Sequence, residues 1–159
     1  MNNYKDIVYA LVCLSFSIVV GAAVFEHLSV WPRAYVAIPK SLTMFQGEYG
    51  LNAANFWIKI HPITLLLFVV NLILFWKSDR RKNLLIVFIS YFIILIITNL
   101  YFVPELIELT GTEMSNTVDE SLVKRGGLWI NLSLIRTLAI VVLAIVLSLG
   151  LTKPGTRKK

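Results

Sequence analysis

The chain has 159 residues, of which 57% are hydrophobic and 15% are charged, and its mean hydropathy is +0.76. Soluble domains carry about 45–50% apolar and about 25% charged residues. A water-soluble fold of this length would lack the polar surface needed to cover its core, which excludes a soluble globular domain and a disordered tail. The single cysteine, Cys13, lies in an apolar run and excludes an internal disulfide or a cysteine metal cage.

Four apolar stretches follow one another along the chain, at residues 7–31, 56–76, 84–103 and 128–151. A hydrocarbon core about 30 Å thick requires about 20 helical residues at about 1.5 Å per residue, so each stretch is long enough to cross it. Backbone amides inside a bilayer must be satisfied within the structure, which favours helices. The sequence therefore predicts an all-α membrane protein, a four-transmembrane-helix bundle in which residues 1–159 form one domain.

Charged residues other than Arg136 are distributed unequally between the two ends of the predicted bundle. One end has nine basic and two acidic residues, a net charge of +7: Lys5, Lys77, Arg80, Arg81, Lys82, Lys153, Arg157, Lys158 and Lys159 with Asp6 and Asp79. The other end has a net charge of −2. The positive-inside rule places both termini in the cytoplasm, and in a bacterium the membrane would be the inner one. We therefore expect the lipid bilayer as a partner and no nucleic acid.

The connection between the first two stretches, residues 32–55, is rich in large apolar side chains and has few charges. These side chains are Tyr35, Val36, Ile38, Leu42, Met44, Phe45 and Tyr49. Such a segment either lies on the outer membrane surface or folds over the mouth of the bundle. We expect a capping outer loop between the first and second helices.

Polar residues at membrane depth are concentrated in the outer halves of the stretches. They are Glu26, His27, Lys59, His61, Thr98, Asn99, Asn131, Ser133 and Arg136. Such residues usually face a partner, a cavity or a functional site, because they are costly in lipid. Helical periodicity puts Trp129, Ser133 and Arg136 on one face of the fourth stretch, and Trp57 and His61 share a face of the second. The pattern predicts an outward-facing polar pocket.

Each candidate residue also has a structural interpretation. Arg136 presents a planar donor fork that suits an anionic or carbonyl-bearing ligand, or it forms a salt bridge with Glu26 that joins the first and fourth helices. His27 and His61 suit proton transfer, haem ligation or an iron or copper site with Glu26, or else they bond to backbone carbonyls or water.

Tryptophans mark the outer ends of several predicted helices. Trp57 and Trp129 fit an aromatic belt at the membrane interface. Trp129 shares a face with Arg136 and could also line the pocket.

Four short motifs together resemble a known family. They are GAAVFEH in the first helix, His61-Pro62 at the opening of the second, NLYFVPE at the close of the third, and WINLSLIR in the fourth. This pattern is similar to an uncharacterised four-helix integral-membrane family that includes the anthrone oxygenases. The resemblance implies oxidation of a flat apolar aromatic substrate by dioxygen, in a pocket reached from the membrane. It points to His61, Asn99, Trp129 and Arg136.

From these observations we expect an oxygenase-like oxidoreductase that acts on a lipophilic aromatic small molecule. His61 or His27 would take a proton from the substrate, and Arg136 and Asn99 would stabilise the resulting oxygen anion. The other residues of the expected substrate site are Glu26, Trp57 and Trp129.

Two alternatives stay open. One is a non-catalytic membrane protein that binds a lipid or small ligand or serves as an accessory subunit. The other is a redox protein with haem or a metal held by residues such as His27, His61 and Glu26. The sequence itself requires no cofactor, and it is compatible with a homo-oligomer.

Overall fold

The computed structural model describes residues 3–155 and contains four helices long and apolar enough to cross a membrane. We call them spans 1 to 4: Tyr4–Ala34, Ala54–Leu74, Arg81–Thr110 and Glu120–Thr152. No β-strand occurs within residues 3–155. The predicted all-α four-helix bundle is confirmed, and the chain is an integral membrane protein. The basic residues Arg157, Lys158 and Lys159 lie outside the described residues.

Spans 1 and 3 are each interrupted by a π-helical turn. The α-helices are α1 (Asn3–Phe25), α2 (Trp31–Ala34), α3 (Ala54–Leu74), α4 (Arg81–Ile97), α5 (Val103–Thr110) and α6 (Glu120–Ser148), and the π-helical turns are Glu26–Val30 and Thr98–Phe102. Each turn is followed by a proline, Pro32 or Pro104, near the start of the next helix. A proline ring clashes with the carbonyl four residues earlier, which here belongs to Leu28 or Leu100 inside the π turn. Widening that turn relieves the clash without ending the span.

The four spans pack in a ring, in which span 1 contacts spans 2 and 4, and span 3 contacts the same two. Aromatic side chains fill the centre. The ring of Phe16 packs edge-to-face against Phe68 and Tyr91, with centroid distances of 5.7 and 5.0 Å. Large apolar side chains such as Ile73 and Ile135 are exposed on the outer faces, where a bilayer would cover them. The bundle is thus apolar inside and outside, as its composition requires.

The segment between spans 1 and 2 folds over one end of the bundle, as the predicted cap does. Ile38 and Leu42 are fully buried there against Trp31 and Trp129. The backbone N–H of Asp119 donates to the carbonyl of Ile38 over 2.8 Å, which ties the cap to the start of span 4. We call this end the cap end, and the opposite end, which holds the first and last described residues, Asn3 and Gly155, the terminal end.

A hydrogen-bonded network closes the terminal end around Arg80, which is only 6% exposed. The guanidinium donates to the Asp6 carboxylate over 2.6 Å and to the Lys153 carbonyl over 2.9 Å. It also lies 5.2 Å from the ring centre of Tyr9 and 5.1 Å from that of Phe75. We call these five residues the terminal-end network. It joins the start of span 1, the link between spans 2 and 3, and the C-terminal segment.

Candidate functional site

Polar side chains from all four spans meet below the cap in one layer. We call it the polar layer, and it consists of Glu26, His27, Trp57, His61, Tyr91, Thr98, Ser133, Arg136 and Thr137. Both π-helical turns lie at this level and contribute Glu26, His27 and Thr98. Such turns are frequent at functional sites because they change the direction of side chains relative to a regular helix.

One side of the layer is a row of four side chains from spans 1, 2 and 3. The indole Nε1 of Trp57 donates to Oε1 of Glu26 over 2.9 Å. Its ring stacks on the imidazole of His61 at 5.1 Å with an interplanar angle of 21°. Nδ1 of His61 lies 2.6 Å from the hydroxyl of Tyr91. These contacts fix the imidazole through Nδ1 and one face of the ring. Its Nε2 has no hydrogen-bond partner among the described residues.

Arg136 occupies the other side of the layer. It donates from Nη1 to Oγ1 of Thr98 over 3.0 Å and from Nη2 to Oγ of Ser133 over 2.8 Å. Its guanidinium carbon lies 4.3 Å from the ring centre of Phe102. A guanidinium has five N–H donors, so three of them have no acceptor among residues 3–155.

The expected salt bridge between Glu26 and Arg136 is absent from the described residues, where no ion pair within 4.0 Å involves either side chain. Glu26 instead accepts from the indole of Trp57, while Arg136 bonds to the two hydroxyls closest to its fork. The arginine therefore lies in the layer without an ion-pair partner among residues 3–155.

His27 is buried, with 9% of its surface exposed, and uses only one of its ring nitrogens. Nδ1 lies 2.8 Å from the carbonyl oxygen of Ala23 and 3.3 Å from Oγ1 of Thr137. Because a carbonyl only accepts, Nδ1 carries the proton, and Nε2 of the neutral ring is an acceptor. That Nε2 atom is buried with no hydrogen-bond partner in the described part of the chain.

Two further unpartnered polar atoms lie just above His27. They are Nε1 of Trp31 and the hydroxyl of Tyr35, both buried in the cap. Burial raises the pKa of the Tyr35 hydroxyl, which therefore stays a neutral donor. Buried polar groups almost always have partners, and exceptions call for an explanation such as a bound water or ligand. The cap end thus retains hydrogen-bonding capacity that residues 3–155 do not use.

The structure brings together most of the site residues predicted from sequence, but not all of them. Glu26, His27, Trp57, His61 and Arg136 lie in the polar layer.

Asn99, expected to stabilise an oxygen anion, is exposed on the outer face of span 3 and donates to the carbonyl of Leu95 over 2.8 Å. Adjacent helical residues point about 100° apart, so Thr98 and not Asn99 faces Arg136. Trp129 packs into the cap, and its indole donates to the carbonyl of Phe102 over 3.0 Å. That bond leaves its N–H unable to serve a substrate.

Four residues of the layer were not among the predicted site residues: Tyr91, Thr98, Ser133 and Thr137. Thr98 and Ser133 do belong to the polar residues predicted at membrane depth. Tyr91 and Thr98 are one heptad apart on span 3, and this spacing was the available signal for their shared face. Thr137 follows Ser133 by four residues, which places both on the face of span 4 that looks inward.

Two further features considered from the sequence are a metal site and a pocket at the polar layer. No group of three or more His, Cys, Asp or Glu side chains is arranged to hold a metal ion within residues 3–155, so Glu26, His27 and His61 do not form a three-ligand set. One cavity lies at the terminal end and another between spans 1 and 4, and neither includes a residue of the polar layer. Glu26, Trp57, His61 and Arg136 are partly exposed at the edges of the layer.

Comparisons of the chain with protein-family models, with curated proteins and with solved structures found no match. The family resemblance of the four motifs therefore stays a prediction.

Proposed function

We propose that the chain is an integral membrane enzyme that binds a lipophilic aromatic molecule beside Arg136 and takes up one of its protons at His61. The observation that carries the proposal is the set of three N–H donors of Arg136 that have no acceptor in the described residues. A positive charge held at membrane depth without a carboxylate partner favours a ligand with an anionic or ionisable oxygen.

His61 is the better of the two histidines for proton transfer. When Nδ1–H donates to the oxygen of Tyr91, Nε2 carries the lone pair and can accept a proton from a substrate. The stacked indole of Trp57 fixes the plane of the ring. His27 is buried and therefore less accessible to a substrate, so we assign it no proton transfer and only a contribution to the polar environment of the layer.

The family resemblance adds dioxygen as the oxidant. In the proposed reaction, a methylene between two aromatic rings loses a proton to His61, and Arg136 stabilises the enolate oxygen that results. The carbanion carbon forms a bond to dioxygen, and the hydroperoxide regains the proton from His61. Loss of water then leaves a ketone, so each substrate molecule consumes one dioxygen and yields one water.

The experiment follows anthrone, dioxygen consumption and anthraquinone formation with the purified protein in detergent micelles. We expect turnover above the rate in empty micelles, with one dioxygen consumed per anthraquinone formed. His61→Asn should reduce the rate by about 10²–10⁴-fold, the usual contribution of a general base. Tyr91→Phe, which removes the hydroxyl partner of Nδ1 while Trp57 still stacks on the ring, should show a smaller reduction. Full activity in a His27→Ala, His61→Ala double variant would overturn the proposal.

A second candidate, a non-catalytic ligand-binding or accessory protein, is favoured by one specific observation. The polar contacts of the layer link the spans in a closed ring: Trp57 to Glu26, His61 to Tyr91, Arg136 to Thr98 and Thr137 to His27. Such a ring also suits a structural layer. Thermal stabilisation by anthrone without any conversion would favour this candidate over the enzyme.

We also propose that both termini face the cytoplasm, because basic residues gather at the terminal end. The test uses single cysteines in a Cys13→Ala background and a maleimide reagent that does not cross membranes. Asn116→Cys, in the link between spans 3 and 4, should react in intact cells. Asp79→Cys, in the link between spans 2 and 3, should react only after permeabilisation. The opposite labelling pattern would reverse the topology.

A further inference from the structure

A second candidate site, separate from the polar layer, lies at the terminal end of the bundle. An open cavity of about 1110 Å³ is bordered there by five basic residues: Lys5, Lys77, Arg81, Lys82 and Lys153. Asp79 is the single acidic residue in the lining. The cavity is therefore strongly positive, and it is at least as large as the pockets that hold small ligands, at about 300–1,000 Å³.

These cations come from three separate parts of the chain, so the fold itself assembles the cluster. Lys5 lies at the start of span 1, Lys77 precedes span 3, and Lys153 follows span 4. Within residues 3–155, none of the five has a carboxylate oxygen within 4.0 Å. The neighbouring acid Asp6 is already bound by Arg80. The one acidic residue of the lining, Asp79, therefore forms no ion pair with these five cations among the described residues.

Apolar groups in the same lining indicate where the cavity lies relative to a bilayer. Leu74, the last residue of span 2, and Trp76, which is 52% exposed, both border it. The guanidinium of Arg81 lies 5.3 Å from the ring centre of Trp76. Exposed tryptophans at the end of a span mark the membrane–water interface. The cavity therefore places cations at headgroup depth and opens beside the apolar end of a span.

We propose that this cavity binds the phosphate headgroup of an anionic phospholipid. Basic pockets between spans on the cytoplasmic side are suited to such headgroups, because each cation adds attraction at the negatively charged surface. Leu74 and Trp76 contact the upper part of the acyl chains, which a soluble phosphate or a nucleic acid does not possess. This proposal depends on no property of the polar layer.

The experiment measures retention of phosphatidylglycerol by the purified full chain in detergent, using native mass spectrometry. Phosphatidylcholine is the zwitterionic control, and glycerol phosphate is added as a soluble competitor. The cavity variant is Lys77→Gln, Arg81→Gln, Lys82→Gln. A matched variant, Lys40→Gln, Lys59→Gln, Lys124→Gln, removes three exposed cations that lie outside the cavity.

We expect the wild-type chain to retain phosphatidylglycerol in preference to phosphatidylcholine. The cavity variant should bind phosphatidylglycerol about 100-fold more weakly, because each neutralised cation lowers the affinity by a factor of about five. The matched variant should stay within about threefold of wild type. Equal losses in the two variants, or equal retention of the two lipids, would overturn the proposal. Displacement of the lipid by glycerol phosphate at comparable concentration would also overturn it, because the site would then be one for soluble phosphate. Unchanged unfolding midpoints without lipid confirm that both variants fold.

Discussion

The two ends of the bundle surround an arginine with different partners, Arg80 being buried and Arg136 half-buried. At the terminal end, Arg80 has a carboxylate, a backbone carbonyl and two aromatic rings as neighbours. At the cap end, Arg136 has two neutral hydroxyls and one aromatic ring, and no carboxylate of the described residues lies within 4.0 Å of it. The first environment holds the chain together, whereas the second leaves donors available to a ligand.

Unpartnered buried atoms follow the same division. Among residues 3–155, three such atoms lie at the cap end, on His27, Trp31 and Tyr35, and another is Oδ1 of Asn71 in span 2. An unsatisfied buried polar group costs about 1–3 kcal/mol, so the cap end contains unfavourable features that a ligand or water could relieve. The difference teaches that the buried polar groups around Arg80 are largely satisfied by the chain, whereas those around His27 keep unused hydrogen-bonding capacity among the described residues.

The largest expected effect tests the structural assignment of the terminal end. Arg80→Gln should lower the free energy of unfolding, measured by SDS titration in mixed micelles, by about 3 kcal/mol, because a charged hydrogen-bonding group with two partners and its packing are lost. Arg81→Gln, which removes an exposed neighbouring charge, should change it by less than about 0.5 kcal/mol. Equal effects of the two substitutions would contradict the division between the two ends.

A smaller effect tests how closely the terminal end is packed. A methyl group added at Gly150 would collide with the hydroxyl of Tyr9, which donates to the carbonyl of Leu147. Gly150→Ala should therefore lower the free energy of unfolding by about 2 kcal/mol, as overpacking typically does. The control is Gly21→Ala, where no atom lies within 4 Å of the added carbon. It should leave stability unchanged or raise it by up to about 1 kcal/mol. A neutral Gly150→Ala would show that this end is looser than described.

The smallest of these effects concerns the contact between the cap and span 4, where two adjacent glycines form a matched pair. An added carbon at Gly126 would lie 3.0 Å from side-chain atoms of Tyr35 and Ile38, whereas none lies within 4 Å at Gly127. Gly126→Ala should therefore lower the free energy of unfolding in detergent by about 1–2 kcal/mol. Gly127→Ala should raise the free energy of unfolding slightly, because alanine favours the helix more than glycine does. If both substitutions behave alike, the cap does not pack on this face.

Much of the fold could be predicted from sequence, because the signals for it are local and strong. Long apolar runs predict the spans, and the aromatic link between the first two predicts a cap. The depth of Glu26, His61 and Arg136 along their helices also follows from residue counting, so their common level was predictable.

Contact partners could not be predicted in the same way, because they depend on the rotation of each helix. One residue along span 3 separates Thr98, which bonds to Arg136, from Asn99, which faces outward. The π-helical turns shift this phase further, and Pro32 and Pro104 were the only local signs of them. The structural role of Arg80 was equally difficult to predict. Its charge is already explained by the positive-inside rule, and its partners are distant in sequence.

The most direct test of the central claim compares Arg136→Met with the wild-type chain by thermal unfolding in detergent, with and without anthrone. Both partners of Arg136 are neutral hydroxyls, and exchange of a desolvated charge for an apolar side chain is often neutral or stabilising. We predict that Arg136→Met unfolds at the wild-type midpoint or above it without ligand. We also predict that it loses the stabilisation that anthrone gives to the wild-type chain. A large fall in the ligand-free midpoint, with the anthrone-induced shift intact, would contradict the account.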